Sequence, residues 1–483
     1  MTDRTDVSPR LSDIADGVLP PDASSYAGDT LAGGDTRARS ASLLLRKEWH
    51  QNETFRQKPA YRQFRAAYLK ALYGHQFSQP GAGTLPGRFP RSGNEESPIV
   101  IYRAADSEIP FEHARVCPKG AHMRPVCDLP DLTTDPYARL PMWVTEGEPA
   151  YHSRSVRHRY LQTAVQAGRL RSANRPGFAL SALELDERGN VAGFRAHLCT
   201  YGESVLTSDV LGYELLMQRL SGGRVRRSES EAFQAGLRPA IRLTGPAGRP
   251  CDVMNAPPET GFAPLIAFQA LVVFRNPRKR GEWRALVMDS VGTGADATDR
   301  IDLPPPGDLL ARSGNAFEPQ TLAGQFDLQE ALISHLLESA FGDPQVARGC
   351  DPEQSDGYQR FVESLGREQN GTRINLLGVV SDLETLRSTF SFLVVIEDEA
   401  LLRHPYIADD PVRGPYLAGW MRGSGTTRLR AATFDELEKA LAGSNAFSGP
   451  SLGLLTLFSE LTYALDGWLY QRYPDMPLLL MID

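Results

Sequence analysis

Residues 327–342 read DLQEALISHLLESAFG, and the segments on either side are arranged around them. Leu328, Leu332, Leu336 and Ala340 recur at helical spacing and line one apolar face. Asp327 and Glu330 have the spacing of a capping box, and Gly342 suits the left-handed residue that closes a helix. Strand-like runs flank this helix. FAPLIAFQALVVFRN (262–276) and WRALVMDSV (283–291) precede it, joined by the charged turn PRKRGEW. RINLLGVVSDL (373–383) and STFSFLVVIED (388–398) follow it, beyond a polar insertion over 344–371. Thr433 and Glu436 open a short helix through a second capping box. A last helix, Ser451 to Tyr470, places Leu454, Leu457, Phe458, Leu461, Leu465 and Trp468 on one broad core-facing side. The class is α/β, of the α+β kind, with a mixed sheet.

Working outward, residues 1–45 are rich in Asp, Ser, Gly, Ala and Pro and carry a single aromatic, Tyr26, so a disordered arm is expected. Residues 46–97 hold a basic amphipathic helix followed by a Gly, Pro and Ser-rich linker. In that helix seven Lys or Arg stand against two Glu over 46–75, and Tyr61, Phe64, Tyr68 and Leu72 fall on one face. Such a face either docks the helix on the body or offers a basic, aromatic patch to a nucleic-acid backbone. Residues 98–223 read as an α+β domain: a strand at 98–105, helices at 152–167 and 208–220, and a strand pair across DERGN (186–190), where Gly189 can take positive φ. A linker over 224–260 leads to the C-terminal domain, 261–483.

A length of 483 residues calls for two or three domains. The net charge of −7 gives no global electrostatic case for nucleic acid or an anionic membrane. No apolar run reaches the roughly 18 residues needed to span a bilayer, and the N-terminus lacks a signal-peptide pattern, so a cytoplasmic protein with no membrane partner is expected. Five scattered cysteines do not describe a disulfide framework.

The succession LIAFQALVVFRN, PPPGDLL, LQEALISHLLESAFGD and INLLGVVSDLETLRSTFSFLVVIED resembles bacterial Nudix-like proteins with a long N-terminal extension, over roughly residues 178–470. The resemblance implies a Nudix-like α/β/α sandwich at the C-terminus. Nudix hydrolases carry G-x5-E-x7-R-E-U-x-E-E-x-G-U, with U aliphatic, whose glutamates hold Mg²⁺ or Mn²⁺ and activate water against a diphosphate. Laid over this helix, the pattern puts Ser334 at the Arg position, His335 at the first Glu, Leu336 at the aliphatic, Glu338 at the next Glu and Ser339 at the last. Upstream, Gly307 is followed by Ser313 where a Glu is expected, and Glu318 is displaced. The box is therefore degenerate. The resemblance leaves Glu338 and Glu330 as divalent-metal ligands and Glu338, Glu330 and His335 as the residues a surviving hydrolase would use, against solvated or capping roles for the glutamates and a packed histidine.

Two other sets of residues invite chemistry. His113, Cys117, His122 and Cys127 in HARVCPKGAHMRPVC could give tetrahedral zinc two thiolates and two imidazoles; buried cysteines and loop histidines are the alternative. Arg275, Arg278, Lys279 and Arg373 are candidate contacts for a nucleotide, or else solvated turn charges. No P-loop, G-x-G-x-x-G or G-x-S-x-G stretch occurs. The expected function is a ligand-binding or regulatory module for a nucleotide-like molecule or a protein partner. A divergent Mg²⁺ or Mn²⁺-dependent hydrolase of nucleoside diphosphate derivatives and a nucleic-acid-associated regulator are the alternatives.

Overall fold

The computed structural model describes residues 34–56, 58–73, 98–105, 160, 163–164, 175–220, 263–276, 282–290, 300–304, 307–311, 322–339, 355–402, 427–442, 447–463, 468–477 and 479. Its centre is a parallel pair of strands, β4 (Ala267–Arg275) and β9 (Arg387–Ile396), in register from Ala267 opposite Thr389 to Phe274 opposite Ile396. Every other pairing in this sheet is antiparallel. With β1 (Ile99–Arg103), β5 (Trp283–Ser290), β8 (Thr372–Asp382) and β10 (Thr427–Ala432) the order is β1-β8-β9-β4-β5-β10; short strands at Arg300–Asp302 and Gly307–Asp308 add to β5 and β4.

Strand periodicity decides what each face of the sheet packs against. Along β9, Phe390, Phe392, Val394 and Ile396 join one core, while Leu393 and Val395 join the other; Phe268, Ala270 and Val272 of β4 divide from Leu271 and Val273 in the same way. Both sets are buried, which is why these strands read as unbroken apolar runs. Helix α5 (Leu328–Ser339) inserts Leu328, Leu332, Ile333, Leu336 and Leu337 into the first core, and α9 (Gly449–Tyr463) inserts Leu454, Leu457, Phe458 and Leu461 into the second. The fold is thus mixed α/β, a mixed sheet with helices on both faces.

Several expectations from the sequence change at this point. The strand at 99–103 lies in the same sheet as the segment from 261, while 176–185 and 191–200 form a separate two-stranded sheet that shares one core with it. Strand β1 pairs with β8, Ile99 opposite Asp382, and the hairpin of β2 (Pro176–Leu185) and β3 (Val191–Thr200) puts Phe178, Phe194 and Leu198 into the core that α5 also fills. The change in composition near 224–260 is therefore not a boundary of the sheet. Residues 34–45, expected to be disordered, belong to helix α1 (Gly34–Arg56). The Gly and Pro-rich start of the arm masks the run of Ala, Leu, Arg and Lys that follows, which favours helix. After a break comes α2 (Pro59–Tyr73), docked by its aromatic face: Tyr61 and Leu69 are buried, and Phe64 and Tyr68 pack against the core. The insertion over 344–371 contains α6 (Asp356–Leu365), capped by the Ser355 hydroxyl, which accepts from the Tyr358 amide at 3.2 Å, and anchored by buried Phe361.

Other local expectations hold. Gly189 turns the β2–β3 hairpin at φ 81°, and Thr433 and Glu436 form their reciprocal cap. Of the helix expected over 152–167, Tyr160, Thr163 and Ala164 are described and are helical.

One glycine is demanded by close approach. At Gly378 in β8, where the ladder to β9 slips register, a Cβ would lie 2.2 Å from the Tyr102 carbonyl oxygen of β1 and about as close as contact allows to Leu457 of α9. Because the first obstacle is backbone, Gly378→Ala is expected to push β1 off the sheet and lower stability by about 2–3 kcal/mol, read from the midpoint of urea denaturation at unchanged slope.

Candidate functional site

The end of the sheet at the β8–β9 turn carries a cleft of about 390 Å³, built from four parts of the chain that are far apart in sequence. Its floor is the turn from β8 to β9. The Asp382 carboxylate accepts from the Glu384 amide at 2.8 Å and from the Thr385 hydroxyl at 3.2 Å, which folds the turn back over the strand end. Leu386 closes this turn at φ 57°, a left-handed conformation that costs a leucine roughly 1 kcal/mol and is held by burial of its side chain.

The second wall comes from the helical run after β3. Thr200 caps α3 (Tyr201–Ser204) in a capping box with Glu203, and a π turn, Val205–Asp209, follows before α4 (Val210–Leu220). Ser204, Thr207 and Ser208 along this run are buried, and their hydroxyls bond to backbone. Thr207 and Ser204 hydroxyls accept from the amides of Ala263 and Leu265, and Ser208 donates to the Thr385 carbonyl at 2.6 Å, tying this wall to the floor. Such turns recur at functional sites. Here it sets the Asp209 carboxylate into the cleft, where it accepts no hydrogen bond among the described residues.

Helix α1 supplies Trp49, Glu53 and Arg56, and Tyr160 closes the end of the cleft. Arg56 donates to Glu53 at 3.3 Å, and behind the cleft Arg65 of α2 donates to Glu384 at 2.7 Å. A glycine at 212 makes room for both charges: a Cβ there would stand 2.9 Å from the Glu384 Oε1 and 3.4 Å from an Arg56 nitrogen.

Charge and burial compete throughout. Burial disfavours the Arg56 cation, but Glu384 and Glu53 outweigh it and hold the guanidinium above its ordinary range. Burial raises the Asp209 carboxyl, with Arg387 and Arg56 pulling the other way. Burial, followed by the Asp209 charge, pushes the Tyr160 phenol well above its usual value.

The residues singled out from sequence lie elsewhere. On α5, the Asp327 carboxylate accepts from the Glu330 amide at 2.9 Å as a helix cap. The His335 ring stands edge-on to Phe268 with centroids 5.6 Å apart, above Gly307, whose missing Cβ would collide with both rings. Glu330, His335 and Glu338 are part-buried, and among the described residues no three His, Cys, Asp or Glu come together as metal ligands. Of the candidate nucleotide contacts, Arg275 has its guanidinium forked by Asp475 at 2.7 and 3.0 Å, reaches Glu397 at 3.3 Å and lies over the Trp283 ring. Arg373 is likewise committed, donating to the carbonyls of Leu365, Glu368 and Thr372 at the end of α6. Arg278 and Lys279 lie outside the described residues, as do His113, Cys117, His122 and Cys127. Of the basic residues read as a nucleic-acid patch, Arg56 and Arg65 turn inward onto Glu53 and Glu384.

The sequence reading missed Asp209, Asp382, Glu384 and Tyr160. Thr200 with Glu203 was a readable cap, but no local pattern joins 49, 160, 209 and 382. No model of a known protein family matches the chain, and no curated protein matches it. No described helix is long and apolar enough to cross a membrane.

Burial, then the neighbouring Glu384 charge, carries the Asp382 carboxyl up from 3.8 to about 6, against Arg65 and the hydrogen bonds from Glu384 and Thr385. The folded chain therefore holds this proton more tightly than the unfolded chain does. Its contribution to stability is full below 3.8 and is lost as pH rises through about 6. Asp382→Asn, which cannot ionise, is expected to gain stability relative to the parent chain between about pH 4 and pH 7, by on the order of 1–2 kcal/mol in urea denaturation at the two pH values.

Proposed function

We propose that this chain is a ligand-binding or regulatory module built on a Nudix-like sandwich, in which α5 serves as scaffold and does not act as a metal-holding helix. The position of His335 carries this reading. At the place of the first box glutamate, its ring is packed against Phe268 over Gly307, in a layer of contacts that fixes the helix to β4. The hydroxyl of Ser334, at the place of the box arginine, is buried without a hydrogen-bond partner, so that position supplies no charge.

Support for the Nudix-like assignment comes from the arrangement of elements: a parallel central pair, α5 between the two strand groups on one face, and α9 on the other. A Mg²⁺ or Mn²⁺ ion needs several hard oxygen ligands, and Glu330 and Glu338 supply one carboxylate each from this helix. Of the candidate diphosphate clamps among the described residues, Arg275 pairs with Asp475 and Glu397, and Arg373 donates to backbone carbonyls.

The test is a panel of nucleoside diphosphate derivatives with Mg²⁺ and with Mn²⁺, followed by phosphate or diphosphate release from the parent chain and from Glu338→Gln. Both proteins are expected to show the background rate. Turnover by the parent chain that falls about 100-fold or more in Glu338→Gln would overturn the binding-module reading and establish a divergent hydrolase.

A further inference from the structure

We propose that α1 is a lid over the cleft, which lifts off the body as one unit about the break before Pro59 while α2 stays docked. This goes beyond the reading of α5 as scaffold and does not depend on it. The cleft has two kinds of wall. Trp49, Glu53 and Arg56 come from α1, whereas the facing wall, from the π turn to the β8–β9 turn, belongs to the body. Lifting α1 removes the first wall and leaves the second standing.

The two N-terminal helices are held in different ways. On α2, Tyr61, Ala66 and Leu69 are at most 3% exposed, Phe64 and Tyr68 pack against the core, and Arg65 adds its hydrogen bond to Glu384. Among the described residues α1 buries no large apolar side chain. Leu43 and Leu44 are 65% and 67% exposed, and Trp49 is only partly buried against the core. The remaining contacts of α1 with the body include a hydrogen bond from Tyr213 to Glu48 at 3.3 Å and the Trp49 ring 6.1 Å from that of Tyr160.

The inward face of α1 is polar, and its donors are unmet. Trp49, Asn52 and Arg56 recur at helical spacing on one face. Each carries a nitrogen that is closed off from solvent and makes no hydrogen bond: Nε1 of the indole, Nδ2 of the amide and Nε of the guanidinium. Asn52 as a whole is 8% exposed. A buried donor without an acceptor forfeits its hydration, so all three disfavour closure, and lifting the helix returns all three to water.

The joint lets one helix move without the other. The Lys58 carbonyl accepts from the amides of Tyr61 and Arg62, at 3.0 and 3.1 Å, and closes the start of α2 from its own side of the break. Pro59, at the first position of α2, has no amide to leave unmet. The Phe55 ring, 5.5 Å from that of Tyr61, is the contact beside the pivot. Arg56 travels with the lid, so opening widens the cleft and also withdraws a guanidinium from beside Glu384.

The experiment is hydrogen exchange of the full chain, read by mass spectrometry on overlapping peptides. Amides from Trp49 to Arg56 are expected to share one opening event and to exchange about 100-fold or more faster than those from Ala66 to Leu69. Asn52→Leu fills a similar space without a donor and is expected to slow exchange across 49–56 by about tenfold, with α2 unchanged. His50→Leu, at an exposed position of the same helix, reads the gain in helix propensity alone and is expected to slow it by about twofold. Circular dichroism confirms that each variant is folded; should Asn52→Leu fail to fold, Asn52→Met takes its place.

The lid is overturned if α1 and α2 exchange at one rate, or if protection rises gradually from Leu43 to Arg56, as a fraying helix end gives. It is equally overturned if the apolar residue at 52 slows exchange no more than His50→Leu does.

Discussion

The parallel pairing of β4 with β9 is the constraint from which the remaining architecture follows. Two parallel neighbours cannot be joined by a tight turn, so the chain must leave the end of β4 and return to the start of β9 over more than a hundred residues. That return carries β5 outward to one side of the pair, crosses the face of the sheet as α5, and comes back as β8 on the other side. Both central strands are thereby sealed above and below, which is what their unbroken apolar sequences require. Because β8 is the last strand laid down before β9, the turn between them falls at the end of the sheet where β1 and α2 also gather.

This placement gives the turn its chemistry. Arg65 reaches it from α2, 319 positions away in sequence, and fastens Glu384; Ser208 reaches it from the π turn and holds the Thr385 carbonyl. The N-terminal helices are thus docked by an aromatic stripe and by hydrogen bonds to carboxylates, Arg65 to Glu384 at 2.7 Å and Tyr213 to Glu48 at 3.3 Å. An amphipathic helix read in isolation offers its arginines to solvent, and the fold turns Arg65 against the buried Glu384 and Arg56 against the half-exposed Glu53 instead.

How much of this was legible in the sequence depended on the range of the signal. The four strands around α5 and the helix itself were readable because each carries its own period, and Gly189, Thr433 and Glu436 because turn and cap chemistry is local. Helix α6 was hidden in a stretch whose average is polar, although Ser355 and the spacing of Tyr358, Phe361 and Leu365 were present to be found. Strand β1 was readable as a strand but not as a partner of β8, since register across 280 residues leaves no local trace. For the same reason the candidate site was invisible: Trp49, Tyr160, Asp209 and Asp382 meet only through tertiary contacts. The candidates that sequence did single out, Arg275 and Arg373, are charged residues in turns and strand ends, and such positions are as useful for tying down loops as for holding ligands.

The cleft is also where the molecule departs furthest from what stability alone would favour. Burying carboxylates that lack counter-ions is costly, and replacing such groups with apolar side chains of similar size commonly stabilises a fold. Here the Asp382 carboxyl is raised toward neutrality beside Glu384, and Leu386 is held at positive φ in the same turn. Elsewhere the same chain shows no difficulty in building apolar layers, as along β4 and β9.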